Sequence, residues 1–198
     1  MKTLGTIKYL SALGLAFGFA FNANAGLIDF RSADWTGANG QQTFAANGVT
    51  ASAAPWYAEL SQNTADGLGI DGWFDEPDEI DGHERLTLDF GTATLVEEIT
   101  ISNLYADEEY CFIFCFKYDE TGYYKKDNSG SWIGFTGVDA INGLFTISLN
   151  ETVQLLDFKS DEHEFSVQQI KTASVPEPGT LALLSLGLAG LTFARKRK

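Results

Sequence analysis

Basic residues are scarce in the middle of this chain. Between residues 26 and 175, 7 lysines and arginines stand against 26 aspartates and glutamates, a net charge of 19 negative. Such a surface repels the phosphate backbone of nucleic acids, so nucleic acid is excluded as a partner. Cations and neutral polymers such as sugars remain compatible with that charge.

The residues of common catalytic and structural metal sites are also few. The 198 residues include two cysteines and two histidines. Two cysteines cannot complete a structural zinc site, because His83 and His163 are far away in sequence. Neither Gly-x-Ser-x-Gly nor His-Glu-x-x-His occurs, so the chain is not predicted to be an enzyme.

The hydrophobic, aromatic and glycine content of the chain favours an all-β domain with a hydrophobic core. Hydrophobic residues make up 44% of the sequence and aromatic residues 13%, and there are 20 glycines for turns. Polar and apolar residues alternate in the segments 85–90, 98–102, 144–149 and 164–168. Strands spaced in this way predict one antiparallel β-sandwich or jelly-roll-like domain at residues 26–170, followed by a linker at 171–175.

Two turns are predicted within this domain. Gly91 is expected to end the strand 85–90. The segment 125–131, with Asp127-Asn128-Ser129-Gly130 at its centre, is typical of a hairpin turn before a strand at 131–135. The strand that precedes this turn is either 110–118 or 122–125.

The N-terminus has the three parts of a secretory signal peptide. Lys2 and Lys8 supply positive charge, residues 9–21 are apolar, and Ala23-Asn24-Ala25 is an Ala-x-Ala cleavage site. Residues 1–25 are therefore predicted to be a signal helix that signal peptidase removes after Ala25. The alternative is an uncleaved membrane anchor.

The C-terminus combines a Pro-Glu-Pro triplet (Pro176, Glu177, Pro178) with an apolar stretch at 180–194 and a basic tail at 195–198. The prolines prevent a helix from propagating through the triplet. A helix of the fifteen residues that follow is roughly 22 Å long, shorter than a hydrocarbon core of about 30 Å. Four bases place that end in the cytoplasm and residues 26–175 outside the inner membrane. The alternative is a permanent tail anchor.

These residues resemble the PEP-CTERM sorting signal of Gram-negative bacteria, here at residues 176–198. The resemblance implies that the apolar stretch is a transmembrane helix, and that an integral-membrane exosortase recognises the triplet and removes the tail. It also implies a host that makes an exopolysaccharide matrix. The protein is then expected to be anchored transiently in the inner membrane and afterwards to reach the cell surface or the medium.

An acidic stretch at residues 71–84 suggests a cation site. It contains seven carboxylates in fourteen residues, and Ca²⁺ takes six to eight oxygen ligands from such loops. The predicted ligands are Asp78, Glu79, Asp81 and Glu84. The alternative is a solvated loop whose side chains cap nearby backbone amides.

The segment 110–118 is predicted to be one strand with an aromatic face. Phe112, Phe114 and Phe116 alternate with Cys111 and Cys115. If the cysteine face packs inward, these phenylalanines and Trp132 form a platform on which sugar rings stack. The alternative is that the aromatic residues belong to the core.

The same strand would keep the two cysteines apart. Four residues along a strand separate Cα atoms by roughly 13 Å, beyond the limit of about 7 Å for a disulfide. Cys111 and Cys115 are therefore expected to be buried, reduced thiols.

Together these features predict an exported, exosortase-processed protein that is a structural or carbohydrate-binding component of an exopolysaccharide matrix. The alternative is a secreted glycosidase that uses two carboxylates of the acidic stretch.

Overall fold

The computed structural model describes residues 26–72, 79–111, 115–127, 130–161 and 163–173. For residues 108–111 and 115–116 it describes the backbone only. The described chain is mostly antiparallel β-sheet, with 63% of it in strands, which confirms the predicted all-β class. Its strands are β1 Gly26–Asp29, β2 Thr43–Ala46, β3 Val49–Ala54, β4 Glu59–Asn63, β5 Gly67–Asp71, β6 Arg85–Ser102, β7 Glu108–Cys111, β8 Cys115–Tyr118, β9 Thr121–Lys126, β10 Ile133–Thr136, β11 Phe145–Ser160 and β12 Ser166–Ala173. Two short 3₁₀ helices, Ala33–Ala38 and Gly137–Asp139, complete it.

Two long strands organise the fold. The first part of β6 pairs with β3 and with the second part of β11, whereas the second part of β6 pairs with β12 and with the first part of β11. The β6–β11 register shifts between Ser148 and Glu151 and again between Val153 and Leu155, as at β-bulges, which bend and twist a strand. One pair of strands therefore connects the strands on both sides of the ten-stranded sheet.

The remaining strands extend this pair on either side. Beyond β11 lie β9 and β10, and beyond β12 lie β5 and β4. The first strand of the domain, β1, pairs with the last, β12, with Gly26 opposite Thr172. β7 and β8 pair with each other in a separate two-stranded sheet.

The core is one cluster built from the inward positions of these strands. Leu86 and Leu88 of β6 alternate with outward residues as predicted, and Ile99 and Ile101 do the same further along. Phe165, fully buried just before β12, contacts Phe135 of β10 with ring centroids 5.1 Å apart. Burial of these apolar side chains is the main stabilising contribution.

Three boundaries differ from the sequence prediction. Gly91 does not end a strand: with a φ of 69° it is accommodated inside β6, which runs on to Ser102. The strand predicted at 164–168 begins at Ser166 and reaches Ala173, so residues 171–173 pair with β6 and do not belong to a linker.

The predicted single strand at 110–118 is also wrong. β7 ends at Cys111 and β8 begins at Cys115, and the two pair antiparallel with Cys111 opposite Cys115. The separation of roughly 13 Å, which assumed one extended strand, therefore does not apply. The strand that precedes the 125–131 turn is β9, paired with β10, which is the second of the two alternatives.

No helix in the described part of the chain is long and apolar enough to cross a membrane. The predicted signal helix (1–25) and the predicted transmembrane helix (180–194) lie outside the described residues.

Candidate functional site

The most exposed large apolar side chain of the described residues is Trp56, at 81% exposure. It lies in the turn between β3 and β4. The amide N–H of Ala58 donates to the carbonyl of Pro55 (2.9 Å), and the side-chain amide of Gln42 donates to the carbonyl of Trp56 (3.0 Å). Tyr57 meets the tryptophan ring edge-on, with centroids 5.5 Å apart. The backbone of this turn is held while the indole face is left open to solvent.

A shallow cleft of about 410 Å³ lies beside these rings. Glu59, Asp71 and Gly72 complete its lining. Glu59 of β4 is the register partner of Asp71 at the end of β5, and both are exposed. Like charges on directly opposite residues destabilise a sheet. Within the described ranges neither carboxylate is in an ion pair with a lysine or arginine.

This combination of groups suits a hydroxyl-rich or amine-bearing ligand. Carboxylates accept hydrogen bonds and have none to donate when ionised. The open indole and the phenol offer flat apolar area at a small cost in conformational entropy. The cleft can therefore stack a ring against Trp56 and accept hydrogen bonds from that ring at Glu59 and Asp71.

Trp132, predicted from the sequence as part of a sugar platform, is in a different environment. It is half-buried, and three cationic groups lie over its ring: Lys125 Nζ at 5.0 Å, Lys159 Nζ at 5.4 Å and the Arg85 guanidinium at 5.6 Å from the centroid. These distances are typical of cation–π contacts. The ring of Trp132 is thus already in contact with the protein's own charges.

Strand register explains why these cations meet. Arg85 of β6 is opposite Lys159 of β11, which is itself opposite Tyr123 of β9. Two residues along, Asp157 is opposite Lys125. Alternate residues of adjacent strands share a face, so the set lies on one side of the sheet.

Asp157 balances part of this charge. Its carboxylate is 3.1 Å from Lys125 Nζ, with side-chain exposures of 3% and 15% for the two residues. The hydroxyl of Thr87 donates to the other carboxylate oxygen at 2.6 Å. Three strands are joined at this buried ion pair.

A second group of carboxylates surrounds Glu79. Asn103 Nδ2 donates to Glu79 Oε1, and the backbone N–H of Tyr105 donates to Glu120 Oε2 at 2.6 Å. Burial and the neighbouring charges of Glu164 and Glu120 raise the pKa of Glu79 to about 8, against the lowering effect of the Asn103 hydrogen bond. This environment favours the protonated form of the Glu79 carboxyl.

The other predicted calcium ligands cap a turn. The backbone N–H of Asp81 donates to Glu84 Oε2 (3.2 Å), and the N–H of Glu84 donates to the Asp81 carbonyl (2.9 Å). The Glu84 contact is a side-chain cap of the kind expected in the alternative, but Asp81 and Glu84 are buried and not solvated. Among the described residues no three or more Asp, Glu, His or Cys side chains are placed to hold a metal. Asp78 lies outside them, and the calcium site stays a prediction.

Several other predicted site residues also lie outside the described part. These are the processing residues Ala23, Ala25, Pro176, Glu177 and Pro178 and the platform residues Phe112 and Phe114. Phe116 is described by its backbone alone, in β8 opposite Tyr110.

Sequence reasoning missed Trp56, Tyr57 and Glu59. Their segment has no charge run and no alternation that distinguishes it from an ordinary turn. The available signal was a Pro-Trp-Tyr triplet shortly before a strand, since a tryptophan in a proline turn has little access to a core.

The described part of the chain is an acidic, antiparallel all-β domain. Its charge and strand topology do not by themselves identify a protein family. Residues 174–198, which follow it, match the PEP-CTERM protein-sorting motif. The chain therefore carries that motif at its C-terminus, as predicted, and the motif implies export with anchoring before cleavage.

Comparison with other proteins adds no function. No curated protein sequence matches the chain. One matching solved structure is the CpGH89CBM32-6 produced by Clostridium perfringens, with 10% sequence identity and a TM-score of 0.33. The match covers 66% of this chain and 96% of the other.

Proposed function

We propose that this exported protein binds carbohydrate polymers at the Trp56 cleft and is a component of the cell surface or of an extracellular polysaccharide matrix. The observation that carries the proposal is a tryptophan at 81% exposure beside a cleft of about 410 Å³. Exposure of the apolar surface of this tryptophan to water does not stabilise the fold. The sorting motif supports the location outside the inner membrane, where such polymers are found.

The charge of the cleft defines the class of sugar. Glu59 and Asp71 favour neutral residues, which donate hydroxyl hydrogen bonds, and amine-bearing residues, which add a cation. They disfavour uronic acids, and so does a domain with a net charge of 19 negative. Neutral and amino-sugar polymers are therefore the proposed ligands.

Single sites of this kind bind weakly. Stacking on an aromatic side chain contributes about 1–3 kcal/mol in the comparable case of nucleic-acid bases. A dissociation constant of 1 mM requires about 4.1 kcal/mol, so one stacked ring with a few hydrogen bonds gives roughly millimolar affinity. Many copies along one polymer raise the effective affinity.

The test is affinity electrophoresis of the exported protein in gels that contain the extracellular polysaccharide of the producing cells. We expect retardation of the native chain and its loss in Trp56→Ala. Ile141→Ala is the matched control, because Ile141 is 75% exposed and is not part of the cleft lining. Equal retardation of the native chain and Trp56→Ala contradicts the proposed site.

A further variant separates this site from the platform predicted from the sequence. Trp132→Ala is expected to keep its retardation, because the cations over that ring already occupy it. Loss of retardation in Trp132→Ala but not in Trp56→Ala would mean that the binding site is the platform predicted from the sequence, formed by Phe112, Phe114, Phe116 and Trp132.

Glycoside hydrolysis is the second candidate function. Side chains on directly opposite residues of antiparallel strands are close neighbours, and glycosidases act with a pair of neighbouring carboxyl groups. Glu59 and Asp71, the first acid of the acidic stretch, are opposite each other. Release of reducing ends that disappears in Glu59→Gln would favour this function over binding alone.

A further inference from the structure

The two cysteines of the chain lie at the facing ends of two paired strands. Cys111 is the last residue of β7 and Cys115 the first of β8, and they are register partners. Antiparallel partners have Cα atoms about 5.5 Å apart in a hydrogen-bonded pair and about 4.5 Å apart in a non-hydrogen-bonded one. A disulfide needs a Cα separation of about 4.4–6.8 Å, so either kind of pair satisfies it.

The topology indicates that a covalent link would stabilise this pair of strands. β7 and β8 pair with each other and form a sheet separate from the ten-stranded one. An isolated two-stranded hairpin is only marginally stable in water. A bond between the residues that flank residues 112–114 holds the two strands in register.

Export supplies the redox conditions. The sorting motif at 174–198 implies that the domain leaves the cytoplasm, where thiols are kept reduced, for a compartment where disulfides persist. The chain has no third cysteine to compete for pairing.

We propose that Cys111 and Cys115 form an intramolecular disulfide after export. One thiolate attacks a disulfide of an oxidising protein to give a mixed disulfide, and the second thiolate then displaces the donor. The two cysteines lose two protons and two electrons in total. The donor disulfide takes up the electrons and leaves as a dithiol.

The test is mass spectrometry of the exported protein. The protein is trapped in acid and denatured, and its thiols are then alkylated, in one sample before reduction and in another after it. Denaturation exposes buried thiols to the alkylating reagent. A cysteine that takes no label before reduction is therefore in a disulfide and is not a buried thiol. Trypsin cleaves after Arg85 and Lys117, so both cysteines are in one peptide, 86–117. We expect no label before reduction, two labels after it, and a native peptide mass lower by two hydrogen atoms.

Two labels without reduction would overturn the proposal, and so would a disulfide-linked dimer on a non-reducing gel. Cys111→Ser provides the matched control, with one label expected before reduction. The measurement on the native chain needs no variant to fold, and its result is independent of sugar binding.

Discussion

At the scale of single residues, the raised pKa of Glu79 is the feature with the clearest consequence. In the unfolded chain this carboxyl has the ordinary pKa of 4.5, whereas in the fold burial and the charge of Glu164 raise its pKa to about 8. Between those values the folded state binds a proton that the unfolded state does not. The free energy of unfolding therefore decreases as pH rises through this range.

We expect the melting temperature of the native domain to fall between pH 5 and pH 9. Glu79→Gln should reduce this fall, because glutamine keeps an oxygen for Asn103 Nδ2 and an N–H₂ for Glu164 but cannot ionise. Thermal unfolding followed by circular dichroism measures the effect. Glu59→Gln, at an exposed position, is the control and should leave the slope unchanged. A slope in Glu79→Gln equal to that of the native chain would show that another group carries the pH dependence.

At the scale of strands, the Asp157–Lys125 pair connects β11 to β9, and the Thr87 hydroxyl adds β6. A buried ion pair adds little relative to apolar residues of the same size, but removal of one partner leaves the other buried and uncompensated. The connection is therefore most sensitive to changes that remove a single member.

Asp157→Ala should lower the free energy of unfolding by about 3–5 kcal/mol, the range for breaking a buried pair. Urea denaturation measures it. Glu151→Ala removes a comparable pair with Lys126 at 2.5 Å, in which Glu151 is 53% exposed, and should cost about 0–1 kcal/mol. The double variant Asp157→Ala with Lys125→Met is expected to recover part of the loss. Equal costs for the two single variants would contradict this account.

Two glycines allow two costs of substitution to be told apart: the cost of the backbone conformation and the cost of crowding between strands. Gly67, at the start of β5, has a φ of 116°, and a Cβ there would lie 2.4 Å from the carbonyl oxygen of Val167 in β12. Gly48 has a φ of 78° and nothing within 4 Å of its Cβ position.

Gly48→Ala should cost about 1–2 kcal/mol, for the left-handed conformation alone. Gly67→Ala should cost clearly more, because β5 must also move away from β12. Urea denaturation of both variants provides the comparison. A cost for Gly67→Ala no larger than that for Gly48→Ala would mean that β5 shifts without loss.

Elements that depend on local sequence patterns could be predicted from the sequence. Elements that depend on contacts between distant parts of the chain could not. The alternation around Leu86 and Leu88 is local, so β6 was recognised, but its continuation past Gly91 depends on pairing with β11, which lies more than fifty residues away. Aromatic alternation favoured one strand at 110–118, and the pairing of Cys111 with Cys115 overrides it. The cations around Trp132 come from three strands and could be grouped only once their register was known.

At the scale of the whole molecule, the sorting motif and the predicted signal peptide flank the folded domain. Of the 13 lysines and arginines, six lie in residues 1–25 or 195–198. Removal of both predicted signals would leave residues 26–175, with 26 acidic residues against 7 basic ones, and a net negative charge of this size favours solubility over self-association.

Glu177→Ala should leave the protein in the inner membrane with its basic tail intact, because the variant changes the Pro-Glu-Pro triplet of the motif at 174–198. Fractionation followed by mass spectrometry measures the location and the C-terminal end. Val175→Ala, a neighbouring change outside the triplet, is the control and should be processed normally. Intact Arg195–Lys198 on most of the native exported protein would contradict cleavage.

The pairing of β12 with β6 along one edge and with β1 along the other has a mechanical consequence. β12 ends at Ala173, and a pull on that end along the strand axis would load β12 parallel to its neighbours. Inter-strand hydrogen bonds in antiparallel pairs are perpendicular to the strands, and such a pull stretches many of them at once instead of opening them one after another. Under such a pull the last strand of the domain would be loaded in shear, with its bonds to β1 and β6 sharing the force.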